Sequence, residues 1–138
     1  MKSEAGASLP GDAHAQALAA GIRRLELAIE RESWGADSVA DADLVYELPE
    51  YAELLEQAYA DGFVRGDLSH EGFDFDAINA TPEFLNSLPY AEICRYVHAL
   101  YRAERWNFGW GSMILWAGQS GALRVVAQRL AQGEETVD

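Results

Sequence analysis

The chain has 138 residues, 23 acidic and 10 basic, for a net charge of −13. That length suits one domain with a sizeable core, and 49% hydrophobic and 11% aromatic content argues against wholesale disorder. A single cysteine, Cys94, excludes an internal disulfide framework. No apolar run approaches the ~18 residues of a membrane span, and Met1 to Asp12 has no apolar core of signal-peptide length, so the expectation is a cytoplasmic protein.

The charge is unevenly placed. Residues 37–83 hold Asp37, Asp41, Asp43, Glu47, Glu50, Glu53, Glu56, Asp61, Asp67, Glu71, Asp74, Asp76 and Glu83 against one base, Arg65. The flanking segments are almost balanced, so nearly all the net charge lies in this block. Such a field repels nucleic acid and anionic membrane and attracts basic protein surfaces.

Residues 1–12 are small and polar and read as a flexible leader; Asp12 can cap a helix. Leu18, Ile22, Leu25 and Ile29 mark one face of an amphipathic helix over 13–32, ended by Gly35. Pro49 opens a second helix, with Ala52, Leu55, Tyr59 and Phe63 as its predicted apolar stripe and Gly62 or Gly66 as its stop. Residues 66–80 read as a loop with a short helical turn, in which Phe73 and Phe75 anchor to the core. Thr81-Pro82 opens a short turn through Leu85. A third main helix runs over 89–107 with Tyr90, Ile93, Val97, Leu100 and Tyr101 inward, and one further turn of that face reaches Glu104. Residues 112–117 form a buried helical turn broken by Gly118 to Gly121. Leu123, Val126, Ala127 and Leu130 then face inward from a last helix ended by Gly133. The fold class is all-α: a single helical domain over 13–132 with five or six helices and an irregular acidic central loop, followed by a tail over 133–138.

Among the constellations, Arg102, Glu104, Arg105 and Trp106 are the densest, with Trp110 close in sequence. A carboxylate facing a core must be paired or neutral, so the expectation is a semi-buried ion-pair and aromatic cluster that fixes a helix crossing; an anion site around Arg105, Glu104 and His98 is the catalytic alternative. Cys94 and His98 share a helical face, but two ligands make no zinc site, and no cofactor fingerprint is present; the expectation is no metal and no cofactor. Asp37, Asp41, Asp43 and Glu47 lack the glycine of a calcium loop. Asp74 and Asp76 have no nucleophile or substrate clamp beside them in sequence. Glu47, Glu50, Glu53 and Glu56 step by three, drifting about 60° per step into a broad negative face.

The stretch Glu92 to Leu130, with Arg102, Glu104, Arg105, Trp106, Gly109, Gly121, Arg129 and Leu130 in matching places, resembles the bacterial and phage domain of unknown function number 6508. Tyr59, Gly62 and Phe63 match its weaker earlier segment, whereas Trp106 departs from the more usual Phe and the stretch before the last helix is longer. The resemblance implies a small helical fold, no known activity, and a shared packing role for Glu104 and Arg105.

The functional expectation is a non-catalytic protein that docks an acidic face, comprising Asp41, Asp43, Glu47, Glu50, Glu53, Glu56, Asp61, Asp74 and Asp76, on a basic protein surface of the kind that binds nucleic acid. A phage anti-defence (anti-CRISPR-like) inhibitor fits that description, as does an antitoxin or immunity protein. Direct nucleic-acid or membrane binding is not expected, and a homodimer through Trp110 and Trp116 is a further alternative.

Overall fold

The computed structural model describes residues 10–32, 47–64, 72–106 and 113–133. They form six α-helices and one 3-10 helix, with no strand among the described residues, so the all-α reading holds. In chain order these are α1 (Asp12–Glu32), α2 (Pro49–Ala60), α3 (Phe75–Ala80), the 3-10 helix η1 (Pro82–Ser87), α4 (Tyr90–Trp106), α5 (Met113–Ser120) and α6 (Ala122–Gln132). No helix among them is long and apolar enough to cross a membrane.

The spacing that predicts α1 also buries it. Leu18, Ile22, Leu25 and Ile29 all lie in the core, and each fully buried aliphatic side chain contributes about 1.5–3 kcal/mol relative to exposure. Asp12 is the first residue of α1 rather than its cap: Ala15 N–H donates to the Gly11 carbonyl at 2.9 Å. Pro10 is held by a bond in which its carbonyl accepts from the Tyr90 hydroxyl at 2.9 Å; residues 1–9 lie outside the described residues.

α1 packs most extensively on α6 and next on α2. Both partners run antiparallel to it. Asp12 lies beside Gly133, just past the end of α6, and His14 lies 3.4 Å from Asp61, just past the end of α2. The crossing with α2 is close at Gly21, where an added Cβ would sit 3.1 Å from Gln57 Oε1 and 3.2 Å from Leu54 Cδ1. A side chain there would require the ends of Gln57 and Leu54 to give way by a few tenths of an ångström.

α2 is rotated from the predicted stripe. Tyr51, Leu54 and Ala58 are buried, Leu55 is half-buried, and Ala52 and Tyr59 are exposed; Phe63, beyond the helix, is buried as expected. An apolar alternative one residue out of phase satisfied the same periodicity, and packing on α1 chose between them. α4 carries the predicted inner face and more. Cys94, Tyr96, His98 and Ala99 are also buried, so the helix lies inside the molecule on nearly every side. Phe73 and Phe75 do anchor their segment, packing on the Tyr96 ring at 5.6 and 5.9 Å between centroids. Gly118 does not break α5, which runs on to Ser120; the break falls at Gly121, whose φ of +100° is the left-handed region that glycine enters without strain.

Candidate functional site

The acidic block divides between two parts of the fold. Glu47 stands just before α2, Glu53 and Glu56 lie on the helix away from Tyr51, Leu54 and Ala58, and Glu50 lies one turn before Leu54. Glu47, Glu53 and Glu56 are exposed and Glu50 is half-buried. None of the four lies within ion-pair distance of a cation among the described residues, and α2 itself carries no base. Pro49 at the first turn and Glu50 beside the positive helix end are favourable locally.

The remaining acids of the predicted face serve other elements. Asp61 faces His14 across the α1–α2 seam. Asp74 caps α3, its Oδ1 accepting from Ala77 N–H at 3.1 Å. Asp76 is exposed on α3, and Glu83, an acid of the block outside that face, is exposed on η1. Asp41 and Asp43 lie outside the described residues. The structure therefore brings Glu50, Glu53 and Glu56 onto one helix with Glu47 just before it, and leaves Asp74 and Asp76 at another.

Four of the described arginines are engaged elsewhere. Arg23 Nε is 3.4 Å from Glu26, Arg124 lies 3.9 Å from Glu26 and 3.7 Å from Glu30, and Arg95 bonds Glu92 at 2.8 Å. Arg129 is buried, and its Nη1 donates to the carbonyls of Leu85, Asn86 and Leu88 at 3.0, 3.4 and 2.7 Å. It closes the end of η1 and fastens it to α6. Sequence reasoning placed Arg129 only within the resemblance; its position among the inward residues Val126, Ala127 and Leu130 was the available signal.

Glu104 is buried at 4% exposure, as its place on the α4 face predicts. Its partners include two neutral donors. Tyr51 Oη donates to Oε2 at 2.5 Å and Ile114 N–H donates to Oε1 at 3.1 Å. The second donor belongs to the first turn of α5, where unsatisfied N–H groups and the helix dipole favour an anion. Glu104 thus ties α2, α4 and α5 together. Arg102 is half-buried and lies within ion-pair distance of no carboxylate among the described residues. The side chains of Arg105 and Trp106, and all of Trp110, lie outside the described residues. Tyr51, which the out-of-phase stripe overlooked, is the residue sequence reasoning missed here.

This geometry does not favour an anion site on α4. Both His98, at 0% exposure, and Glu104 are closed off from solvent. Burial, reinforced by the Glu104 carboxylate, raises the nearby Tyr101 hydroxyl above its ordinary pKa, and burial does the same to Tyr96. Among the described residues no three His, Cys, Asp or Glu side chains converge as a metal would require. Trp116 is 37% exposed.

Compared with protein-family models, curated proteins and solved structures, the chain matches none.

Proposed function

We propose that this is a non-catalytic binding protein that lays the outer face of α2 on a basic protein surface, of the kind that otherwise holds nucleic acid. The observation that carries the reading is the unneutralised state of Glu47, Glu53 and Glu56, which stand in solvent without a cation in reach among the described residues, while Arg23, Arg95 and Arg124 face carboxylates outside the block. Carboxylates left unpaired on one helix repel one another, and a basic partner relieves that repulsion on docking. A small inhibitor competing with nucleic acid for its target, such as a phage anti-defence protein, uses this arrangement; an antitoxin or immunity protein uses it equally. The resemblance to domain of unknown function number 6508 bears on the packing of the helix hairpin rather than on this face, and the two bonds of Glu104 support such a packing role.

The test is electrostatic. Partners are captured from host lysate at low and high salt, identified by mass spectrometry, and their association rates measured with wild type and with a Glu47→Gln, Glu53→Gln, Glu56→Gln variant. Steered association should slow by about tenfold in the variant at low salt and converge with wild type at high salt. Equal on-rates in both proteins at every ionic strength sink the reading.

A further inference from the structure

Opposite charges stand side by side on the outer surface of α1 and α2. Among the described residues the exposed arginines are Arg23, Arg24 and Arg31 on α1 and Arg124 on α6. The three on α1 lie three or four residues from Leu27, which is 59% exposed, and residues so spaced are neighbours on a helix surface. The acid of that ring, Glu30, lies 3.7 Å from Arg124. Ala17 and Ala20 continue the outer face toward the start of α1 and are exposed as well. Beside it α2 turns Pro49, Glu53, Glu56 and Ala60 to solvent. One helix thus shows an apolar side chain among arginines, and its neighbour shows carboxylates on an otherwise small and apolar face.

The packing fixes the level of each group. α1 and α2 run antiparallel, with Gly21 against Leu54 and Gln57 and His14 against Asp61. Both helices rise by about 1.5 Å per residue, so each step forward on α1 matches a step back on α2. Ala20 therefore stands level with Glu56, Arg23 and Arg24 with Glu53, and Leu27 with Pro49. Arg23 faces Glu26 on its own helix at 3.4 Å. Arg24 lies within ion-pair distance of no carboxylate among the described residues, and Glu53 and Glu56 of no cation. A two-fold axis parallel to the helices and along their seam lays α1 of one copy over α2 of the other, antiparallel and at the same level. Arg23 and Arg24 of each copy then meet Glu53 and Glu56 of the other, and Leu27 meets Pro49. The net charge of −13 opposes self-association, so two copies need a local surface of opposite sign, and among the described residues α1 is where exposed arginines gather.

We propose that two copies of this chain pair through the α1–α2 face, the arginines around Leu27 of each lying on Glu53 and Glu56 of the other. Such an interface is self-complementary, as a two-fold dimer requires. The inference rests on the reading of α2 as a docking face and names an occupant for it, the arginine-bearing α1 of a second copy. A dimer and a basic target compete for Glu53 and Glu56, so the monomer is the form that presents the face.

Sedimentation velocity and light scattering of the full chain over a wide concentration range test it. Wild type should pass from monomer to dimer as concentration rises. Arg24→Glu and Glu53→Arg, both at exposed positions, each set like charges against one another twice per dimer and should each weaken dimerisation about tenfold or more. Mixed together, the two variants should form a heterodimer of near wild-type strength, because both crossing pairs are then opposite in sign. The double variant should pair with itself for the same reason. A monomer at every concentration, a dimer that both single variants leave intact, or a mixture no tighter than its components overturns the proposal. Masses that grow beyond the dimer mean an open head-to-tail arrangement and overturn it as well. Arg24→Glu leaves the α2 carboxylates in place and should still associate with a basic target. A wild-type monomer that binds such a target defeats the dimer alone, whereas this dimer without any salt-dependent target keeps the face and defeats the target.

Discussion

Two buried carboxylates, Glu104 and Glu26, sit at similar depth and are treated differently. Glu104 lies where α2, α4 and α5 meet, and each of its oxygens accepts a hydrogen bond, from the Tyr51 hydroxyl and the Ile114 N–H. Glu26 lies on the α1–α6 seam at 6% exposure, and its cationic neighbours Arg23 and Arg124 approach only to 3.4 and 3.9 Å from positions that are more than half exposed. Its Oε2 has no hydrogen-bond partner. Burial raises the Glu26 pKa above the usual carboxylate value against the opposing pull of Arg124 and then Arg23. The contrast is in hydrogen bonding: donors from two helices reach Glu104, whereas Arg23 and Arg124 stand at 3.4 and 3.9 Å from Glu26 and leave its Oε2 without a bond.

The comparison can be broken most severely at Glu104. Glu104→Ala orphans the Tyr51 hydroxyl and an α5 N–H in the interior, and should cost about 3 kcal/mol or more in urea denaturation. Tyr51→Phe removes one bond and leaves the second, so its cost should be nearer ~1–2 kcal/mol. If the two variants lose the same stability, Ile114 contributes nothing to holding the carboxylate. Arg129 extends the contrast to a buried cation satisfied by neutral acceptors. Arg129→Met leaves the η1 carbonyls without their donor and should cost about 2 kcal/mol, with hydrogen exchange accelerating first in residues 82–88. Gly121 separates α5, capped by Glu104, from α6, which carries Arg124. Gly121→Ala forces an L-residue into φ +100° and should lower stability by about 1 kcal/mol, read from the thermal midpoint.

The smallest effect has the opposite sign. A carboxylate whose folded pKa is raised contributes stability that is complete below its unfolded pKa and is lost as pH rises through the folded value. Glu26 is therefore a net cost at neutral pH. Glu26→Gln, which mimics the protonated form, should raise stability at pH 7 by roughly 0.5–1 kcal/mol. The gain should shrink to nothing below about pH 4, where the wild-type carboxyl is protonated in both states. A glutamine variant less stable than wild type at pH 7 would show that the ion pairs outweigh burial.

Much of this architecture was legible in the sequence because helical periodicity is a local property. The predicted positions on α1 and α4 are all buried, as is Glu104, but Tyr96, His98 and Ala99 on α4 are buried as well and were not part of the face that periodicity marked. The stripe on α2 was not, because Tyr51, Leu54 and Ala58 compete with Ala52, Leu55 and Tyr59 for the same period, and only the surface presented by α1 at Gly21 separates them. The α2 carboxylates were legible as a charged face, but the distance between them and Asp74 and Asp76 was not, since linear spacing says nothing of which helices adjoin. The level at which Arg24 stands against Glu53 was invisible, being set by the packing of Gly21 on Leu54 and Gln57.

Composition and periodicity thus determined the class of fold, the inward faces of α1, α4 and α6, and the sign of the molecule's field. Each depends only on which residues recur along one helix or on how many charges the chain carries. Tertiary packing alone decided the partners of Glu104 and Arg129, the misfit of Glu26 and the level of Arg24 against Glu53. Those arise where side chains from distant segments meet, and hydrogen-bond direction and exclusion of water are set at that meeting.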